Sequence, residues 1–225
     1  MTEHVDRRAD TTRQQILLAA SSEFARKSYS QVSLDDILVQ AQVTKGAMYF
    51  HFRSKHELAL AIIEQQGRVG IDAMGDVLAR RLSGLETLID VSYLIAALDI
   101  RDDAARAALN LLESIGRTSG VQARVLGEWT HRFADVVRSA VADGDVSAER
   151  DAQDVSRMLV SMYMGIRHTS DLDDPSRFLR DLEKTWNLLL PGFTNPERIA
   201  YFTQFIRRRT AIAIKNTPVS GEAVT

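Results

Sequence analysis

No proline interrupts the first 174 residues of this 225-residue chain; all four lie late, at Pro175, Pro191, Pro196 and Pro218. Proline locks one backbone dihedral and lacks an N–H, so it kinks or ends a helix interior. A long proline-free stretch therefore leaves helices unhindered. Strand signals are weak, with no strict apolar/polar alternation bounded by Asn-Gly or Asp-Gly turns. The expected fold class is all-α. Hydrophobic residues make up 45% of the chain and charged residues 26%, a balance that supports a packed core rather than disorder. There is no repeat, and only a short polar tail after Asn216 is compositionally biased.

Helical periodicity is plain at the front. Leu17, Ala20 and Phe24 form one stripe, with Thr11 or Thr12 expected to cap its start. Leu34, Ile37, Leu38 and Ala41 repeat at helical spacing, with Ser33 as N-cap. A third, short helix is expected at about 44–50. A fourth opens with the capping box Ser54-Lys-His-Glu57 and runs to about Arg81. Further helices are expected at about 85–99, 103–116, 121–143, 150–170, 176–190 and 196–215. Gly84, Gly120, Gly144 and Gly192 fall near the breaks, as C-cap chemistry predicts.

Charge is the next clue. The net charge is −2, but residues 1–56 carry eight Lys/Arg against six Asp/Glu, and the remainder twenty against twenty-four. From 44 to 55 there are three cations and no acid. That stretch lies in SLDDILVQAQVTKGAMYFHFRSKHE, residues 33–57, which reads as two short helices about a tight turn at Ala41–Thr44. In a helix-turn-helix the first helix braces the second, which enters the major groove. Ala41 is small enough for the crossing, Val43 suits the turn as an apolar plug, and Met48 and Phe52 pack inward. The remaining face presents Thr44, Lys45, Ala47, Tyr49 and His51, locally positive as phosphate contact requires. The same aromatics also suit ordinary core packing.

The run VTKGAMYFHFRSKHEL resembles the signature of the TetR family of bacterial repressors, and the front helix with Phe24 and Tyr29 fits it. The resemblance implies an N-terminal three-helix helix-turn-helix domain (1–56), a C-terminal helical ligand-binding and dimerisation domain (57–216), and a polar tail (217–225). It places Lys45 and Gly46 at the start of the recognition helix, brings Tyr49 and His51 to phosphates, and gives Lys55 a phosphate to clamp. The candidate DNA-contact set is Ser33, Thr44, Lys45, Gly46, Ala47, Tyr49, Phe50, His51 and Lys55. The implied partner is double-stranded operator DNA, bound by a homodimer because a palindrome demands a two-fold pair of recognition helices. The interface is implied at about 150–170 and 196–215, with Tyr201, Phe202 and Phe205 as an apolar face.

Behind residue 84 the signal thins. Trp129 and Trp186 stand out, with Tyr93, Leu94, Leu109, Phe133, Met158, Met162 and Met164 as apolar company. For any single one of these residues ordinary core packing is the better reading. KGAMYFHFRSKHELALAIIEQQ and the two tryptophans are similar to one TetR subgroup, the γ-butyrolactone receptors of actinobacteria. That similarity implies a small apolar ligand lined by Trp129, with Phe133, Leu94, Leu109, Met162 and Trp186 as further candidates. An orphan or pseudo-receptor for another lipophilic signal is the alternative. Induction would be a population shift, with the fourth helix as lever and Gly67, Gly70 and Gly75 as places for it to bend.

Rival classes lack their marks. There is no His-Glu-x-x-His, Gly-x-Ser-x-Gly or phosphate loop, so no enzyme is expected. The five histidines show no metal-ligand spacing, and Asp171, Asp173 and Asp174 fail as a calcium loop. No cofactor or metal is expected. The cysteine count is zero, the N-terminus is polar, and no run approaches a membrane span. A soluble cytoplasmic protein without membrane partners is expected. A helical interaction module without DNA binding is the remaining rival.

Overall fold

The computed structural model describes residues 2–217, with side chains described from Asp10 onward; residues 218–225, most of the expected polar tail, lie outside the described residues. The described backbone forms ten α-helices: α1 (Thr2–Arg26), α2 (Leu34–Ala41), α3 (Lys45–His51), α4 (Lys55–Leu78), α5 (Gly84–Arg101), α6 (Asp103–Ser114), α7 (Val121–Ala142), α8 (Ala152–Thr169), α9 (Pro175–Leu189) and α10 (Pro196–Lys215). A 3-10 turn spans Leu190–Gly192. The all-α expectation holds, with one isolated bridge between Val146 and Thr194. Among the described residues no helix is long and apolar enough to cross a membrane.

The chain forms two compact units that interleave in sequence. One runs to Ile71 and takes in Asp102–Ala123; the other takes Asp72–Arg101 and resumes at Arg124. In the first unit α1 buries Ile16, Leu17, Ala20 and Phe24, and α6 packs along it. Asn110 of α6 donates to the carbonyl oxygens of Phe24 and Ala25 at 3.0 and 3.3 Å. These belong to the last turn of α1, whose carbonyls have no partner within the helix. The start of α1 at Thr2 corrects the start expected at Thr11 or Thr12. Nothing between 3 and 10 is proline or glycine, so no residue stops the helix from extending.

In the second unit α5 is the hub, tied by side-chain hydrogen bonds to three other helices. Asp99, wholly buried, pairs with Arg167 of α8 at 2.8 Å and accepts from the Tyr163 hydroxyl at 3.4 Å. The Trp186 indole N–H of α9 donates to Ser92 Oγ at 2.9 Å. Tyr93 Oη lies 2.6 Å from Thr210 Oγ1 of α10. Burial pushes the Tyr163 and Tyr93 hydroxyls above their ordinary pKa, so both stay protonated and able to donate. The turn after α7 is pinned by Arg198, which donates to buried Asp145 at 2.8 Å, and by Asn195, which donates to the Gly144 carbonyl oxygen at 2.7 Å.

Of the four punctuating glycines Gly144 acts as expected, following α7 with φ +76°; Gly120 also takes positive φ, +71°, but stands just before α7, five residues past Ile115, the C-cap of α6. Gly84 does something else. It is the first residue of α5, and a Cβ there would lie 2.7 Å from the Cα of Ala140 and from the carbonyl oxygen of Val136. It is there so that α5 can touch the backbone of α7. Gly192 sits in the 3-10 turn without positive φ, while Arg81 takes the left-handed conformation after α4, at φ +56°.

Gly84→Ala is expected to lower stability by about 3 kcal/mol, the upper end for overpacking, because the obstacle is backbone rather than a side chain that can rotate away. A urea titration read by circular dichroism measures it; a loss below about 1 kcal/mol would contradict the close approach.

Candidate functional site

The recognition element is built from its caps inward. Ser33 Oγ accepts from the Asp36 N–H at 3.1 Å and starts α2. A side-chain hydrogen bond from Ser33 to the Asp36 carboxylate, with a smaller one from the Ser33 backbone, holds that carboxyl below its ordinary pKa. At the other end of α2, Gln42 takes the left-handed conformation, φ +55°, and its N–H reaches the carbonyl oxygens of Leu38 and Val39. The Val43 N–H also bonds Leu38 at 3.2 Å, which turns the chain sharply. Thr44 then caps α3, its Oγ1 accepting from the Ala47 N–H at 3.2 Å. Thr44 thus serves the helix as a cap while also standing on its exposed face.

The two sides of α3 separate cleanly. Met48 and Phe52 are buried, at 1% and 2% exposure, with Ala41 buried and Val43 half-buried at the turn. The Arg13 guanidinium of α1 lies 5.2 Å over the Phe52 ring. Outward face Thr44, Lys45, Gly46, Tyr49 and Phe50, with Ala47 and His51 half-buried at the margin. Phe50 is 79% exposed, which rules out the reading of this ring as core. His51 meets it edge-on, with ring centroids 5.0 Å apart. Ser33 is exposed at the start of α2. Arg53, outside the expected set, is an exposed cation just beyond α3; its only mark in the sequence was its charge.

Lys55 stands apart from the others. Its ammonium donates to the carbonyl oxygens of Tyr29 and Val32 at 2.8 and 2.9 Å and lies 4.4 Å from the Tyr29 ring centroid. Tyr29 in turn stacks on Phe24. Lys55 therefore ties the start of α4 to the connection between α1 and α2. The capping box also closes one residue early. Ser54 Oγ accepts from the Glu57 N–H as expected, but Glu57 accepts from the Arg53 N–H at 2.9 Å.

The ligand candidates are not brought together as one set. Trp186 is 1% exposed and its N–H is spent on Ser92, so it is a core residue. Trp129 is half-buried, and its indole has no hydrogen-bond partner among the described residues. Phe133 lies one turn further along α7 and is nearly buried; Met162 is buried in α8. Leu109 is buried in α6, in the first unit. Leu94 lines a cavity of about 280 Å³ walled by α4, α5, α9 and α10. A shallower hollow of about 420 Å³ runs between α4, α5 and α7, past Val136. Of the expected dimer contacts, Tyr201 is 39% exposed and Phe205 half-buried, but Phe202 is wholly buried. Phe202 belongs to the protomer's own core and offers a partner no surface.

Comparison with known proteins agrees with this geometry. Residues 16–62 match the family described as bacterial regulatory proteins, tetR family, and residues 82–195 match the tetracyclin repressor-like C-terminal domain. The A-factor receptor protein of Streptomyces griseus is 30% identical over 196 residues, covering 86% of this chain and 68% of the relative. The crystal structure of a gamma-butyrolactone receptor, an ArpA-like protein, superposes with a TM-score of 0.74 at 31% identity, covering 91% of this chain and 99% of that one. CprB from Streptomyces coelicolor, in complex with its biological operator sequence, gives a TM-score of 0.74 at 31% identity, covering 89% and 98%.

Lys55→Met is expected to destabilise the protein by about 1.5 kcal/mol, the low end for hydrogen bonds from a charged donor, and to loosen the connection between α1 and α2. Hydrogen exchange at the amides of 28–33 measures the second effect; unchanged protection there would show that Lys55 pins nothing.

Proposed function

This chain belongs to the TetR family of bacterial regulatory proteins, and from that premise we propose that it acts in the cytoplasm as a homodimeric repressor. Two copies of α3 read a palindromic operator in the major groove, and a small apolar ligand in the second unit releases them. The observation that carries the DNA reading is the two-sidedness of α3. Met48 and Phe52 anchor it, while Lys45, Tyr49 and Phe50 project with no acidic residue between 44 and 55. Such a face gives phosphates a cation and bases an apolar surface, which suits the methyl of thymine. Arg53, beside it, adds a second exposed cation for the backbone.

A palindrome needs a two-fold partner. The face of α10 bearing Tyr201 and Phe205 is the surface for it, with α8 alongside in the pairing. The Tyr201 hydroxyl is held by Glu86, and Arg198 lies 4.9 Å over its ring. The ring is therefore already fixed before a partner arrives, which lowers the entropy lost on pairing.

The ligand reading rests on the contrast between the two tryptophans. Trp186 has its N–H satisfied; Trp129 offers a large ring and an unused donor, on the same face of α7 as Phe133. An apolar molecule with one acceptor oxygen fits that pair. The named relatives, an A-factor receptor and gamma-butyrolactone receptors, support a γ-butyrolactone or a molecule of similar chemistry. Release then requires the ligand to prefer the arrangement that cannot hold DNA. Gly67, Gly70 and Gly75 of α4 fit a lever: a Cβ at any of them would meet nothing, so no packing constraint accounts for three costly helix glycines.

Lys45→Ala is expected to weaken operator binding and to flatten the dependence of log K on log salt by about 1, the slope of one phosphate contact. Tyr49→Ala is expected to weaken binding at every salt concentration. Gel-shift titrations of both variants on a palindromic operator, with no loss in either, would defeat the DNA assignment. Separately, Trp129→Ala should keep operator affinity and lose its response to a γ-butyrolactone, read as release from a fluorescent operator. A variant that is released normally would place the ligand elsewhere.

A further inference from the structure

We propose that the second unit holds a separate binding site for a small amphipathic acid, one carboxylate on a short apolar body, in the cavity walled by α4, α5, α9 and α10. It is distinct from the surroundings of Trp129, since no residue of α7 or α8 lies on its wall. Its volume of about 280 Å³ is at the small end of the range for ligand pockets.

The wall is of mixed chemistry. Val77, Leu94, Ala97, Leu179 and Ile212 give it apolar lining. Its charged lining is three arginines, Arg80, Arg101 and Arg209, against one carboxylate, Asp90. Asp90 is 3% exposed and sits between two of them: Arg80 Nη1 is 3.5 Å from Oδ2, and Arg209 Nε is 2.7 Å from Oδ1. The second contact is close but misaimed, so buried Asp90 Oδ1 and Arg209 Nε both lack a true hydrogen bond. Arg101 donates to the Ala97 carbonyl oxygen at 3.3 Å and makes no ion pair among the described residues. Glu86 and Glu183 act electrostatically on Asp90 and Tyr93, but neither is on the wall.

An acid fits this chemistry better than the alternatives. A cation would add to three positive charges. A neutral apolar molecule would leave guanidinium N–H groups facing it unpaired, at a cost in binding. A carboxylate gives the arginine forks the planar acceptor they match, while its apolar body meets the apolar lining. Asp90 then serves as the strut that orients Arg80 and Arg209. The site also abuts the far end of α4, the helix whose first turn holds Lys55.

The test is calorimetric titration of the full-length protein with octanoate, with octanol as neutral counterpart. Octanoate is expected to bind and octanol at least tenfold more weakly. Arg80→Gln changes a half-exposed side chain and leaves the core intact; it is expected to weaken octanoate about tenfold. Arg209→Lys, which keeps the charge but loses the fork, should also weaken it. Trp129→Ala should bind octanoate like the unaltered protein, so this result stands whatever becomes of the butyrolactone reading. No binding of octanoate, equal binding of octanol, indifference to both arginine changes, or loss in Trp129→Ala would each overturn the proposal.

Discussion

A helix of seven residues does not hold itself together in water, because its few internal hydrogen bonds do not offset the ordering of its backbone. α3 is such a helix, and everything the protein does with DNA depends on its being held from outside. Thr44 supplies the N-cap, Gln42 turns the chain in the left-handed conformation, and Met48 and Phe52 sink into the first unit. Because the apolar anchors Met48 and Phe52 are on one side, the other side, Thr44 apart, is free to be chosen for chemistry. Exposed Phe50 and Tyr49 lie side by side on that face, where an apolar surface suits contact with a partner.

The parts of this arrangement that depend on local chemistry were legible in the sequence. Ser33, Thr44 and Ser54 each occupy a position where a hydroxyl must meet a backbone N–H, and helical spacing marked Met48 and Phe52 as inward. What could not be read were contacts between residues far apart in the chain. The charge of Lys55 was visible in the sequence; its bonds to the carbonyls of Tyr29 and Val32, 26 and 23 residues away, were not. Gly84 looked like a helix end because a glycine between helices usually is one; its close neighbour, Ala140, is more than fifty residues on. Phe202 looked like part of an apolar face because its neighbours Tyr201 and Phe205 are on one.

The second unit shows the same division between propensity and pairing. Its helices follow from periodicity and from the late prolines: Pro175 and Pro196 sit in the first turns of α9 and α10, where a missing N–H costs nothing. Its specificity comes from buried polar pairs that periodicity does not reveal. Asp99 with Arg167, Trp186 with Ser92, and Tyr93 with Thr210 fix α5 against three helices. Each pair is costly if one member is missing, so sliding α5 by a residue is penalised three times over. A unit held this way can carry cavities without losing its register.

The placement of α6 sets an order of assembly. The apolar face of α1 is covered by a helix that the ribosome makes some eighty residues later, after α4 and α5 have already emerged. A fragment cut at Ile71 would leave that face of α1 bare to water. During synthesis, too, the groove-reading half stays unfinished until the chain has passed Ala123. The growing polypeptide therefore completes its first unit only after α5 of the second has been made, and a product that ends before α6 lacks the helix that packs along α1.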